Sequence, residues 1–508
     1  MRRLPLLGEF TANLSPYFCQ EYARFMSFDE EKLRRSIYRN YDLPTPEPLK
    51  KFMEEGWAPS PLQDLKKSPA TSWAVARREK LSKAFPGKRL VIPAGNYKVR
   101  SNDTDYRFRP HSAFSWSTGI NGCEAVPDSV LVMEPTNSGH VSILFIHPRS
   151  PREKSEEFYR NSKYGEFWVG RRMTLEETEF AFDIKVQHLS TLEDFLGVKK
   201  ESLALRHEDA LVDELVPENK GDQEFVIWLS EARLIKDQFE IDEMQKAIDA
   251  THRGFEEMIR AIPNTVGKKR GERLIEGAFF TRARFEGNDI GYDSIVASGA
   301  HACILHWIKN DGELKNGDLL LIDAGVEVDS LYTADITRTL PINGKFTPAQ
   351  REIYELVYEA QSAGIKAVKP GAKFRDFHVA AMKVVAEGLS KLGVLPISPE
   401  ESLKPESGLH RRWTVHGTGH MLGMDVHDCA HARNEAYSDG ILEPGMILTV
   451  EPGIYIHPDD ALFPEQYRGI GVRIEDDVLV TKDGCRNLSS AMPRHPDEIE
   501  AWLASLWR

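Results

Sequence analysis

Asp323, Asp335, His420, Glu451 and Glu475 are four carboxylates and one imidazole. Each sits in a short segment that is otherwise apolar or glycine-rich: LLLIDAG, YTADITRTL, HGTGHMLG, LTVEPGIY and GVRIEDD. A carboxylate in such surroundings is strongly disfavoured unless a positive group compensates it. Four in one half of the chain point to a shared cation site and to more than one cation, because two divalent ions balance four carboxylates. Without metal, a carboxylate pair about 4 Å apart repels by about 4 kcal/mol at an effective dielectric near 20. With metal, the site is near neutral and a bridging water is easily deprotonated. Oxygen-rich ligation with one imidazole favours manganese, cobalt or zinc over a thiolate-type site. Two ions about 3.5–4 Å apart polarise a carbonyl and supply hydroxide to attack it. Singly, an acidic residue near a strand end is usually a solvated turn residue; the constellation carries the inference. His416 and His420 have the spacing of a helical zinc motif but lack its glutamate, and Gly417 and Gly419 weaken a helix there.

The elements that must position these residues are legible. Asp323 ends an apolar strand whose Leu319 and Leu321 share its face, and Asp335 begins the next with Thr337 and Thr339 on its face. The eleven residues between the aspartates, Gly325 among them, suit a hairpin-like return. Glu451 follows MILTV and precedes Pro452-Gly453, at a strand end; Glu475 is expected in a strand with Arg473 on the same face. Helical spacing predicts one long helix over SEARLIKDQFEIDEMQKAIDATHRGFEEMIRAI, closed by Pro263. A second helical run, KFRDFHVAAMKVVAEGLSKLG, divides the strands into two sets, so each half reads as helices followed by strands. Upstream, the helical SWAVARREKLSKAF leads into strand-like RLVIP, SVLVMEP and HVSILFIHP, which predicts an α/β domain with a mixed sheet. The division expected is an extension over 1–70, the α/β domain over 71–230 and a catalytic domain over 231–508.

The 508 residues suffice for two or three domains, and 41% hydrophobic with 28% charged content is ordinary for a globular protein. A net charge of −13 argues against nucleic acid or an anionic membrane as partner. No apolar run reaches the roughly 18–20 residues that span a bilayer, and the apolar stretch after MRRLP stops at Leu7, too short for a secretory segment. Cys19, Cys123, Cys303, Cys429 and Cys485 lie far apart without a CxxC, which fits reduced thiols in a cytoplasmic protein.

Over about residues 90–500 the chain resembles the proline-specific pita-bread metallopeptidases, and the aminopeptidase P family most closely. The ordered segments YDSIVASG…CILH, LIDAGVEV…YTADITRTLPINGKFTPAQREIY, HGTGHMLGMDVHD, LEPGMILTVEPGIYI and PEQYRGIGVRIEDD carry the likeness. It implies an N-terminal mixed-sheet α/β domain before a pita-bread catalytic domain, α/β (α+β) in class. It implies an aminopeptidase that releases the residue ahead of a proline by attack of a metal-bridging hydroxide, with Asp323, Asp335, His420, Glu451 and Glu475 holding two ions, usually manganese. By the same likeness His306 contacts the substrate near the scissile carbonyl, His427 hydrogen-bonds the oxyanion or passes a proton, and His416 lines the prolyl pocket. Glu451 takes up a proton, and Arg473 organises Glu475 or its surroundings. In SNDTDYRFRPHSAFSWSTG, Asp103 matches the aspartate that meets the substrate's free amine; Trp168, in FWVGRR, matches an aromatic that reaches a neighbouring subunit, so a homo-oligomer is implied. Three departures stand out: the Asp323–Asp335 loop is one residue longer than in the bacterial enzymes, Ser438-Asp439-Gly440 lacks an expected basic residue, and the first 70 residues have no counterpart in the family pattern. The alternatives are a prolidase confined to Xaa-Pro dipeptides, a metal-free creatinase-like hydrolase, for which lost ligands would be expected, and a non-catalytic scaffold.

Overall fold

The structure, a computed structural model, describes residues 44–507 apart from Lys154. The expectations for residues 1–43, Cys19 among them, lie outside these. The described chain forms two compact units.

The smaller unit gathers residues 44–64, 96–108 and 148–174. Trp57 packs edge-on against Phe158 and Phe167, with ring centroids 5.1 and 6.0 Å apart, and the Arg152 guanidinium lies over the Trp57 ring. A short hairpin pairs Val99–Ser101 with Thr104–Asp105, and Asn102 takes the left-handed conformation its turn needs.

The larger unit opens with helix α1 (Thr71–Ala84) and strand β1 (Arg89–Pro93). Strands β2 (Val130–Thr136) and β3 (Gly139–Ile146) form a hairpin, and β4 (Lys185–His188) and β5 (Ser202–Ala204) complete a sheet in the order β4-β3-β2-β1-β5. β1 is antiparallel to β2 and parallel to β5, so the sheet is mixed as predicted. Val91, Val132, Ile143 and Phe145 pack one face against Leu192, Leu196 and Val212.

The long helix expected from Ser230 onward begins only at Gln238: Ser230 and Glu231 close α2 (Asp222–Glu231), a non-helical link follows, and α3 (Gln238–Ala261) carries the rest. A capping box restarts it: Glu240 N donates to the Asp237 carboxylate at 3.1 Å, and Asp237 N donates back to Glu240 Oε2 at 2.9 Å. Helix α4 (Gly271–Glu286) follows, then β6 (Ile295–Ser298), β7 (Leu319–Ala324) and β8 (Ile336–Pro341), an antiparallel sheet in the order β8-β7-β6. The pattern repeats with α5 (Pro348–Ala367) and α6 (Asp376–Lys391), then β9 (Ile447–Val450), β10 (Gly453–Tyr455), β11 (Gly471–Arg473), β12 (Asp476–Val480) and β13 (Cys485–Asn487). β9, β12 and β13 form one antiparallel sheet and β10 pairs with β11. Every residue of β7, β8, β9 and β12 is buried, which explains the apolar runs of β7 and β9.

One expectation is corrected here. Glu475 does not lie within a strand; it sits in the break where the chain leaves β10's partner, β11, to become β9's partner, β12. Its N–H donates to Thr337 O at 3.1 Å, which ties the second strand set to β8.

Candidate metal centre

Asp323 and Asp335 come together because β7 and β8 run antiparallel with Asp323 opposite Thr337. Gly325 permits the return: a Cβ there would lie 1.6 Å from Ala334 O. Glu451 leaves the end of β9, and its N–H donates to Thr418 O at 2.8 Å. His420 lies in the non-helical HGTGH segment, held alongside β9 by Thr449 N donating to His420 O at 2.9 Å. Gly419 is required at that approach, since a Cβ would meet Thr449 O at 2.0 Å.

Asp335, His420 and Glu475 each offer a ligand atom, all within 4.8 Å of one another. His420 Nε2 lies 3.3 Å from Asp335 Oδ2 and 3.7 Å from Glu451 Oε1. Asp323 and Glu451 flank this trio. Asp323 Oδ2 accepts from Arg473 Nη2 at 2.5 Å and Oδ1 lies 2.6 Å from the Tyr292 hydroxyl, which is also 2.5 Å from Asp335 Oδ1. Arg473 therefore pairs with Asp323. Glu475 instead receives the Thr337 hydroxyl at 2.7 Å, and Arg473 Nε donates to that same hydroxyl oxygen at 3.1 Å.

The residues fit a pair of divalent cations. Burial and mutual repulsion leave the carboxylates short of positive charge: burial and Asp335 push Glu475 well above its usual range, and burial and Asp335 push Glu451 up to about 7 despite His420. Asp335 is also raised, by burial and by Asp323. Burial lowers His420, but the Asp335 hydrogen bond and charge outweigh it and hold it at about 9, so the imidazolium stands in for missing cation charge. Its Nδ1 lies 3.1 Å from Met421 O, an acceptor, which fixes the proton on Nδ1 and leaves Nε2 facing the carboxylates for ligation.

All nine predicted metal and catalytic positions of this half line one cavity of about 460 Å³, whose apolar wall includes Ile295, Leu305, Ile308 and Val426. The His427 ring stands edge-on to His420 with centroids 4.4 Å apart, and burial and the His420 charge lower its pKa. Burial and Arg473 lower His416 to about 4. Arg473 Nη1 donates to Tyr455 Oη at 3.1 Å; Tyr455 Oη lies 2.7 Å from His416 Nε2, and His416 Nδ1 lies 2.6 Å from Gly417 O. Those partners fix a neutral imidazole protonated at Nδ1. Asp103 and Trp168 belong to the smaller unit. Asp103 is exposed at the hairpin turn; Trp168 is 52% exposed and its indole donates to Tyr159 O at 2.7 Å. Sequence reasoning missed Tyr292 and Tyr455 as members of the site. Tyr292 opens the YDSIVASG segment, which was the available signal.

Residues 242–482 match the family model of metallopeptidase family M24, and residues 74–204 match that of the aminopeptidase P N-terminal domain. Xaa-Pro aminopeptidase 1 of Streptomyces coelicolor is 52% identical over 464 residues, 90% of this chain and 92% of that protein. The Xaa-Pro aminopeptidase of Escherichia coli is 34% identical over 432 residues, 83% of this chain and 94% of that one. Among solved structures, aminopeptidase P from E. coli with the inhibitor Pro-Leu superposes with a TM-score of 0.75 at 32% identity, covering 86% of this chain and 98% of that one. A zinc-substituted E. coli aminopeptidase P in complex with product has the same score and identity, with 86% and 99% covered.

Proposed function

Because the chain belongs to metallopeptidase family M24, among its Xaa-Pro aminopeptidases, we propose a division of labour within the cavity for removing the N-terminal residue ahead of a proline. The fold is that of the family, an α/β N-terminal domain before a pita-bread catalytic domain. The activity is that of a metal-dependent aminopeptidase. The observation that carries the residue-level reading is the convergence of Asp335, His420 and Glu475 within 4.8 Å in a cavity that also exposes three further histidines.

In this reading Asp323, Asp335, His420, Glu451 and Glu475 hold two divalent ions. Manganese is the first choice, because hard oxygen donors dominate the set; cobalt and zinc remain compatible with the single imidazole. Bound there, the ions supply Lewis-acid polarisation of the scissile carbonyl and lower the pKa of water. Glu451 accepts a proton from the attacking water and passes it on. His427, whose pKa is lowered by burial, donates a hydrogen bond to the oxyanion. His306 contacts the substrate beside the carbonyl. His416, fixed by Tyr455, borders the prolyl pocket, and Arg473 orders Asp323 and Tyr455 together. An Xaa-Pro bond has no N–H to recognise, so an apolar wall of Ile295, Leu305, Ile308 and Val426 is the fitting way to select its ring.

Further parts of the proposal lie outside this cavity. Asp103 pairs with the free amine, and Trp168 serves a neighbouring subunit in a homo-oligomer; its half-exposed ring supports an intermolecular role. The division at about 70 and 230 belongs here too. Cys123, Cys303, Cys429 and Cys485 are free thiols, which supports a cytoplasmic protein. No helix among the described residues is long and apolar enough to cross a membrane.

The decisive assay compares Xaa-Pro dipeptides with longer Xaa-Pro peptides, using chelated protein before and after manganese is restored. Asp335→Asn is expected to lose bound metal and peptide turnover together. Full turnover by that variant after exhaustive chelation sinks the scheme.

A further inference from the structure

His306 stands in residues 299–312, a stretch with one short 3-10 turn and no strand, so something other than a sheet ladder must hold it. The holder is Glu272, in the first turn of α4 and fully buried. Four donors converge on its two oxygens. Oε1 receives Ser298 N and lies against His301 Nδ1, both at 2.8 Å; Oε2 receives Trp307 Nε1 at 2.8 Å and Gly312 N at 2.7 Å. The partners lie at the start, the middle and the end of the stretch. Glu272 N donates to Gly312 O at 3.2 Å, which closes the same end from the backbone. His301 stacks on Trp307 with centroids 3.9 Å apart, so the two side-chain donors brace each other. The packing leaves no spare room: a Cβ on Gly312 would lie 2.6 Å from Glu272 Oε1.

The consequence falls on the residue beside Trp307. Along this stretch Leu305 and Trp307 are half-buried, whereas Ile304, His306 and Ile308 are exposed. Drawing the Trp307 indole inward to Glu272 turns the adjacent His306 outward, into the cavity it lines with Leu305 and Ile308. Buried polar groups with fully satisfied partners specify one arrangement, and a carboxylate shared by four donors is a strong example. We propose that Glu272, acting through Trp307, is a positioning residue for His306: it touches no substrate and fixes where the imidazole stands.

This rests on the reading of His306 as a substrate contact, and the experiment separates the two. Trp307→Phe removes the indole N–H with part of the ring system and keeps an aromatic ring on His301; Glu272→Gln, of nearly equal volume, removes one acceptor oxygen and is the second variant. Each is made alone and with His306→Ala, and the manganese-loaded full chain is assayed on one Xaa-Pro peptide with its melting temperature recorded. With His306 present, a displaced group beside the reacting centre is expected to lower kcat/KM about ten- to a hundredfold, mostly in kcat. With His306 already alanine, the same change is expected to move kcat/KM less than about twofold, while the melting temperature falls equally in both backgrounds. A loss that persists undiminished without His306 overturns the proposal, as does unaltered kcat/KM in both Trp307→Phe and Glu272→Gln. Wild-type kcat/KM in His306→Ala itself overturns the substrate-contact reading, and the positioning role with it.

Discussion

A tyrosine hydroxyl has one proton, yet Tyr292 stands within hydrogen-bond reach of two carboxylate oxygens, on Asp323 and Asp335. One hydroxyl reaches both oxygens only while the carboxylates stay together, and that is what a cation between them requires. Burial and the two aspartates push the Tyr292 hydroxyl well above its ordinary range, so it remains a donor at any working pH. Arg473 restrains Asp323 from the other side through Oδ2, leaving the Asp323 carboxylate little rotational freedom. Tyr292→Phe keeps the ring and deletes that proton. The expected result is a loss of manganese affinity of about ten- to a hundredfold, in line with other partners that orient metal ligands. Calorimetric titration of chelated protein reads it directly; unchanged affinity would remove Tyr292 from the site's architecture.

At the scale of elements, the strands beside Asp323, Asp335 and Glu451 were legible from local features: Asp323 and Glu451 close apolar runs at turn signals, and Asp335 opens the strand that follows the return through Gly325. Glu475 was misread for a reason that is not local. The period-two pattern through Val472, Ile474 and Asp476 continues across the break, and only the change of partner from β10 to β9 interrupts the strand. The long helix failed similarly: periodicity runs through Ala232–Lys236, while the Asp237–Glu240 capping box, visible as DQFE, restarts the helix. Glu272 was invisible as a site residue because a helix-start glutamate reads as solvated surface, and Tyr292 carried no signal beyond its place at the head of YDSIVASG; their meaning comes from partners far along the chain. Gly325 gives this scale its test. Alanine there would place Cβ 1.6 Å from Ala334 O, against backbone that cannot swing away as a side chain does. Gly325→Ala is expected to force β7 and β8 apart at the metal end, destabilising the fold by more than about 2 kcal/mol and weakening manganese binding at the same time. Denaturant unfolding and metal titration measure the two. Wild-type metal affinity in a destabilised variant would show that the return between the strands does not set the aspartates' spacing.

Across the whole molecule, the centre ties stability to pH through charge that the protein alone does not neutralise. In the chelated protein Glu451 is raised from 4.5 to about 7, chiefly by burial and then by Asp335. A carboxyl whose pKa is raised on folding contributes stability that is fully present below its unfolded value and is lost as pH rises through its folded value. Glu451→Gln holds a neutral group of the same shape and has nothing to lose. With metal removed, the stability of the wild type relative to Glu451→Gln is therefore expected to fall between about pH 4.5 and pH 7, by an amount on the order of a few kcal/mol, seen as a lower melting temperature. His420, raised from 6.5 to about 9 by Asp335 against the opposing effect of burial, extends the loss of stability in both proteins to more alkaline pH. Manganese reverses the order. Ligands that bind only the folded state stabilise it by about 2.7 kcal/mol at a hundred times Kd, and the variant lacks one of the ligands that secure this gain. At pH 8 the wild type should then melt below Glu451→Gln when chelated and above it when saturated with manganese. Melting curves of both proteins under the two conditions decide the matter: an order that does not invert would mean that Glu451 is neither strained by its neighbours nor relieved by metal.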